Sequence, residues 1–232
     1  MDEQTVVFLP GFLCDERLWQ HQQESLSEVA SCEVVDLRNR RNLQEMLAAL
    51  DKVPVKKLHL VGFSMGAYVA QVFATQNPDR IGHLVLIGST GTALPDAEIK
   101  TRLQMKTLLQ KASFKGLSDR ELRHYLHPDA YANPEIANVV REMAASNTSE
   151  MYLNQMMATL DRHDLRIQLN SLKFPMTLVG GVQDMITPKD KIEAFHKAVR
   201  RSKLHLIEGA GHFVPLEKPT ELNQILLQTL SN

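Results

Sequence analysis

At 232 residues, 44% hydrophobic and 23% charged, the chain is long enough to bury a core and too apolar to be disordered. Its 26 Lys and Arg nearly balance 27 Asp and Glu, leaving a net charge of −1, which excludes a strong electrostatic draw to nucleic acid or to an anionic membrane. Two cysteines, Cys14 and Cys32, make neither a disulfide framework nor a metal site.

The first residues, Met1-Asp2-Glu3-Gln4-Thr5, lack the basic and apolar regions of an export signal. No apolar run approaches the roughly 18 residues a membrane span needs, so a reducing, cytoplasmic setting is expected. The segment 5–10 is short, β-branched and apolar, as a strand buried on both faces should be, and Pro10-Gly11 breaks it. Residues 16–29 read as a helix with Leu18, Trp19 and Leu26 inward, and residues 32–37 as a second strand. A helix over 42–50 is capped by Asn42 and carries Leu43, Met46, Leu47 and Leu50 on one face. A third strand over 57–62 leads to a helix over 65–76, which stops before Asn77-Pro78, and a fourth strand covers 81–87.

From about residue 93 to 166 the strand signal vanishes, and helical stretches are expected near 96–111, 118–125, 134–145 and 149–163. The alternation then resumes with strands over 174–180 and 203–207 and helices over 188–199 and 219–230. Such alternation implies right-handed βαβ crossovers. The expected fold class is α/β, a mostly parallel sheet flanked by helices with a helical cap inserted after the strand that ends near residue 88. The core then spans residues 1–92 and 167–232 and the cap, or lid, residues 93–166, where it would lie over the ligand crevice at the strands' carboxyl ends.

Gly62-Phe63-Ser64-Met65-Gly66 is a G-x-S-x-G pentapeptide. Alone it is a common coincidence, and a plain turn with a capping serine would read the same. Here a strand runs straight into it and a helix starts straight after it, as a nucleophile elbow requires. A neutral serine needs a base. Of nine histidines, only His212, in Glu208-Gly209-Ala210-Gly211-His212-Phe213, follows a strand behind a glycine turn. His59, His83 and His205 fall in or at strands and read as structural. The base needs an orienting carboxylate, and Asp184 ends the strand that leads into Gly180-Gly181-Val182-Gln183-Asp184. The alternative for Asp184 is a helix-start residue before Pro188. An oxyanion hole would use the backbone N–H groups of Met65 and of Phe12, the latter aimed by the turn at Gly11.

At these residues the chain resembles the α/β-hydrolase fold family, in its small, capped esterase form. Leu9-Pro10-Gly11-Phe12-Leu13-Cys14, the pentapeptide, Gly181-Val182-Gln183-Asp184 and Gly209-Ala210-Gly211-His212-Phe213-Val214-Pro215 carry the resemblance. Within that fold it is similar to pimeloyl-carrier-protein methyl esterases and to menaquinone-pathway enzymes. It departs from many members in having Pro10 where they have histidine before the glycine. It departs from the menaquinone enzymes in having Ala67-Tyr68-Val69-Ala70 where they place an arginine.

The resulting expectation is a serine hydrolase with Ser64, Asp184 and His212 as its triad, acting through an acyl-enzyme on a small or medium ester or thioester, with no metal or organic cofactor. C–C hydrolysis, an elimination reaction and a ligand-binding module with little turnover stay open on the same fold. Leu13, Tyr152, Gln155, Met156 and Phe213 are expected at the substrate pocket. Tyr152 and Gln155 share a helical face, and with Arg162 and Asp164 they either face the substrate or hold the cap's hinge. Met105, Met143, Met151, Met156 and Met157 suit either an adaptable apolar pocket or packing between cap helices. Lys100, Arg102, Lys106, Lys111, Lys115, Arg120 and Arg123 outnumber the acids around them. They suit an acyl carrier protein or a coenzyme A phosphate, or simply a solvated face. A monomer or a homodimer is expected.

Overall fold

Alternate residues of β1 (Thr5–Leu9) belong to opposite faces: Val6 and Phe8 pack into one core layer, Val7 and Leu9 into the other. The computed structural model describes residues 4–230. The same period of two runs through β3 (Leu58–Phe63) and β4 (Ile81–Ile87), so Leu60 and Leu84 share a layer with Val7, while Val61 and Val85 share one with Phe8. With β2 (Ser31–Val34), β5 (Met176–Gly181) and β6 (Ser202–Ile207) they form one parallel six-stranded sheet in the order β2-β1-β3-β4-β5-β6. Phe8 pairs in register with Val61, and Val61 with Val85, so apolar rows cross the sheet.

One core layer holds α2 (Leu43–Asp51), α3 (Met65–Gln76), α9 (Arg166–Ser171) and α10 (Lys189–Ala198) against the sheet. The other holds α1 (Gln20–Leu26), α11 (Val214–Glu217) and α12 (Pro219–Leu230), and extends into α5 (Asp119–Tyr125), α6 (Pro128–Ala132) and α7 (Pro134–Ala145). Between β4 and β5, α4 (Asp96–Leu109) to α9 follow one another with no strand, α8 (Ser149–Ala158) among them. The chain leaves β1 toward one side of the sheet and β3 toward the other. The carboxyl ends of β1 and β3 therefore flank a switch point, where α/β sheets open a crevice.

Several elements stop where side chains compete for the backbone. The helix expected over 16–29 is a 3-10 turn, Glu16–Trp19, followed by α1, which ends where the Ser27 hydroxyl donates to the Glu24 carbonyl at 2.8 Å. The strand expected to reach residue 37 ends at Val34, because Asp36 turns to accept from the Arg38 N–H at 2.9 Å. Helix α8 stops at Ala158 rather than 163, where the Thr159 hydroxyl donates back to the Gln155 carbonyl. The Asn42 cap is present, its side chain accepting from the Glu45 N–H at 3.0 Å.

The turn from β3 into α3 is set by close approach. A Cβ on Gly62 would lie 2.6 Å from Ala67 Cα, and one on Gly66 would lie 2.5 Å from the Pro10 carbonyl oxygen. The obstacles are backbone atoms, which cannot swing aside. Gly66→Ala is therefore expected to cost at least the roughly 3 kcal/mol at the top of ordinary overpacking. A urea titration with an unchanged midpoint would contradict this packing.

Candidate active site

Ser64 stands between β3 and α3 with φ 50° and ψ −110°, a conformation that costs a non-glycine residue about 1–3 kcal/mol. The strain is held from both sides: the Ser64 N–H donates to the Ile87 carbonyl at 2.9 Å, and the Ser64 carbonyl accepts from Tyr68 N–H at 3.2 Å. The side chain is thereby lifted off the sheet edge toward the loop after β6.

That loop carries His212, only 2% exposed, whose Nε2 lies 3.0 Å from Ser64 Oγ and whose Nδ1 lies 2.8 Å from Asp184 Oδ2. A carboxylate offers only acceptors, so Nδ1 bears the proton and Nε2 presents its lone pair to the serine hydroxyl. The other oxygen, Asp184 Oδ1, accepts from the Ile186 and Thr187 N–H groups at 2.7 and 2.8 Å. These two bonds fix the carboxylate plane and hence the imidazole's orientation.

The imidazole is also held through its backbone. The His212 N–H donates to the Tyr125 carbonyl at the end of α5, at 2.7 Å. Beside it the buried Glu217 carboxylate accepts from the Gly211, Phe213 and His127 N–H groups at 2.9, 2.7 and 2.8 Å. One side chain thus binds the histidine loop to the start of α6. Burial pushes the Glu217 carboxyl above the ordinary range, with the three N–H bonds pulling the other way. Glu217 and Tyr125 escaped the sequence reading, since a glutamate five residues after a histidine gives no sign of being buried.

Ser64, His212, Phe12 and Met65 line one cavity of about 230 Å³. Met65 begins α3, so its N–H has no carbonyl within the helix to serve. Among the described residues no group accepts the Phe12 N–H either. The Phe12 ring packs edge-on against Tyr152, with centroids 4.8 Å apart.

Of the residues expected at the pocket, Leu13, Tyr152, Met156 and Phe213 line the cavity, and Gln155 does not. Gln155 is fully buried behind the wall, where its Oε1 accepts from the Leu13 N–H at 3.0 Å and its Nε2 donates to Asn147 Oδ1 at 2.9 Å. Asn147 Nδ2 in turn donates to the Leu13 carbonyl at 3.2 Å. This pair of amides grips both backbone groups of Leu13, whose φ of 60° is the other positive value at a non-glycine residue among those described. The clamp fixes the residue after Phe12 and so the aim of the Phe12 N–H. Gln155→Leu is expected to orphan the Leu13 N–H and Asn147 Oδ1, at about 1–3 kcal/mol each. The melting temperature should fall by roughly 2–4 °C per kcal/mol. A melt within about a degree of wild type would contradict the clamp.

Of the five cap methionines, Met156 faces the cavity and Met143 packs in the core. Two basic residues of the early cap have structural partners: Arg102 pairs with Glu98 at 2.6 Å, and Arg123 stacks over Tyr131 at 3.9 Å. Asp164 lies outside the cavity and pairs with Arg166. His83, expected to be structural, is buried with Nε2 3.0 Å from Thr177 Oγ1. Among the described residues no group of ligating side chains could hold a metal, and no helix is long and apolar enough to cross a membrane.

A family model described as alpha/beta hydrolase fold matches residues 42–219. The chain is 27% identical over 188 residues to a monoacylglycerol lipase of Xenopus laevis, a match that covers 76% of this chain and 56% of the lipase. The chain thus spans just over half of that relative. It is also 27% identical over 214 residues to 2-hydroxy-6-oxononadienedioate/2-hydroxy-6-oxononatrienedioate hydrolase 2 of Pseudomonas putida, over 84% of this chain and 70% of that protein. Among solved structures it superposes on a thermophilic esterase from Thermogutta terrifontis (malate bound) with a TM-score of 0.89 at 23% identity, covering 98% of this chain and 89% of the esterase.

Proposed function

The chain belongs to the α/β-hydrolase fold family, and on that footing we propose that it is a serine hydrolase that cleaves a carboxylic ester or thioester of a small to medium acyl group. The observation that carries the reading is the unbroken hydrogen-bond chain from Ser64 through His212 to Asp184, with the serine on a strained turn in a cavity wall.

In this reading Ser64 Oγ attacks the carbonyl carbon while His212 Nε2 takes the hydroxyl proton. Asp184 stabilises the imidazolium that forms. The carbonyl oxygen, now an oxyanion, accepts from the Phe12 and Met65 N–H groups. Collapse expels the alcohol or thiol, which receives the proton from His212 and leaves an acyl-Ser64 ester. Water then adds with His212 as base, and Ser64 is regenerated with release of the acid.

Turnover of 4-nitrophenyl esters from acetate to decanoate tests this. Activity is expected to peak at short acyl chains and fall toward decanoate. The reason is that a cavity of about 230 Å³ is below the roughly 300 Å³ at which pockets begin to take drug-sized ligands. Inactivity on every ester would overturn the ester reading. A second reading, C–C bond hydrolysis, is favoured by the likeness to the Pseudomonas putida hydrolase. Release of one carboxylic acid and one dienol acid from a 2-hydroxy-6-oxo-dienedioate, with no ester turnover, would select it.

A further inference from the structure

Arg162 lies on the return from α8 to α9 and lines the same cavity as Ser64 and His212. Its guanidinium carbon stands 4.9 Å from the ring centroid of Tyr68, one helical turn after Ser64 on α3. The guanidinium therefore sits beside the nucleophile turn, over an aromatic face, a packing that arginine favours. Its Nε is sealed from solvent, and among the described residues no group accepts from it.

A carboxylate does stand nearby, but it is engaged. Glu98 also lines the cavity, and Arg102 holds it through Nε and Nη2 at 3.1 and 2.6 Å. Arg102 Nη1 donates to the Met156 carbonyl and to Thr159 Oγ1, at 3.2 and 3.0 Å, and is thereby anchored to the end of α8. Glu98 thus neutralises Arg102, and Arg162 adds one positive charge with no ion-pair partner among the described residues. Burial, with the charge of Arg102, pushes the Arg162 pKa down to about 10, which leaves it cationic at neutral pH. An uncompensated cation in a cavity wall is unfavourable in a folded protein unless something outside the chain meets it.

The geometry points to a substrate whose acyl part carries a carboxylate, bound by Arg162 while Ser64 attacks the ester carbonyl at the other end. This rests on the serine-hydrolase reading above and narrows its substrate class to short half-esters of dicarboxylic acids. A carboxylate matches the site better than a phosphate dianion. One guanidinium fork pairs with two carboxylate oxygens and one charge cancels one charge, whereas a dianion would leave a net negative charge in a small cavity.

The test compares 4-nitrophenyl hydrogen adipate with 4-nitrophenyl hexanoate, which match in acyl length and differ in the terminal carboxylate. Wild type is expected to favour the adipate by at least about tenfold in kcat/KM, the lower range for a hydrogen bond to a charged group. Arg162→Gln should bring the ratio to about one, through KM more than kcat, and Arg162→Lys should retain part of it. A wild-type ratio of one or less, or a ratio that survives Arg162→Gln, overturns the inference. Calorimetry of monomethyl adipate with Ser64→Ala protein separates the two readings, because it needs no turnover. Binding that weakens about tenfold or more in Ser64→Ala/Arg162→Gln supports the carboxylate site even if no ester is hydrolysed. No binding, or binding indifferent to Arg162→Gln, removes the site whatever the esterase assay shows.

Discussion

Ser64→Ala is expected to lower kcat/KM on any ester the wild type hydrolyses by about 10,000-fold or more, leaving only the acceleration that binding and the oxyanion donors supply. The substitution removes one oxygen and nothing else. Alanine keeps a Cβ, so the φ of 50° stays as strained as before, and the backbone bonds to Ile87 and Tyr68 are untouched. Among the described residues the one side-chain bond lost is that to His212 Nε2. The thermal midpoint should therefore stay within a few degrees of wild type, so the lost rate reads as lost chemistry. A variant with wild-type turnover would remove Ser64 from the mechanism.

Asp184→Asn is expected to cost about 10,000-fold in kcat, for a reason set by the neighbours of Asp184. The Ile186 and Thr187 N–H groups both point at Oδ1, so an asparagine must present its carbonyl oxygen there. Its NH2 group then faces His212 Nδ1, which has to accept rather than donate. The ring proton moves to Nε2, leaving no lone pair for the Ser64 hydroxyl. Stopped-flow rates over a pH series measure the effect. A loss of less than about tenfold would mean that the carboxylate does not set the tautomer.

That Ser64, Asp184 and His212 meet was legible in the chain because each closely follows a strand whose apolar run is visible. A parallel sheet brings all such ends to one edge. The alternation of strands and helices gave the layers for the same reason. Helices α6, α9 and α11 were not legible: they run for two turns or fewer and show no complete apolar stripe. Gln155 was misplaced because its spacing from Tyr152 shows only a shared helical face. What it touches, the Leu13 backbone, lies far away in sequence. Glu217 and Asn147 stayed hidden for the same cause, since their partners are backbone groups that tertiary packing alone brings near. The basic excess of the early cap was read as charge for a partner or as a solvated face, and of these residues Arg102 and Arg123 are engaged within the chain. Arg162 lines the cavity and has no ion-pair partner among the described residues.

The central claim, that Ser64 is a nucleophile activated by His212, is tested most directly by covalent capture. The protein would be treated with a fluorophosphonate and the site of attachment mapped by peptide mass spectrometry. The account predicts a single adduct on Ser64, formed quickly in wild type and barely at all in His212→Ala. An unmodified Ser64, or labelling whose rate is indifferent to His212, would contradict it.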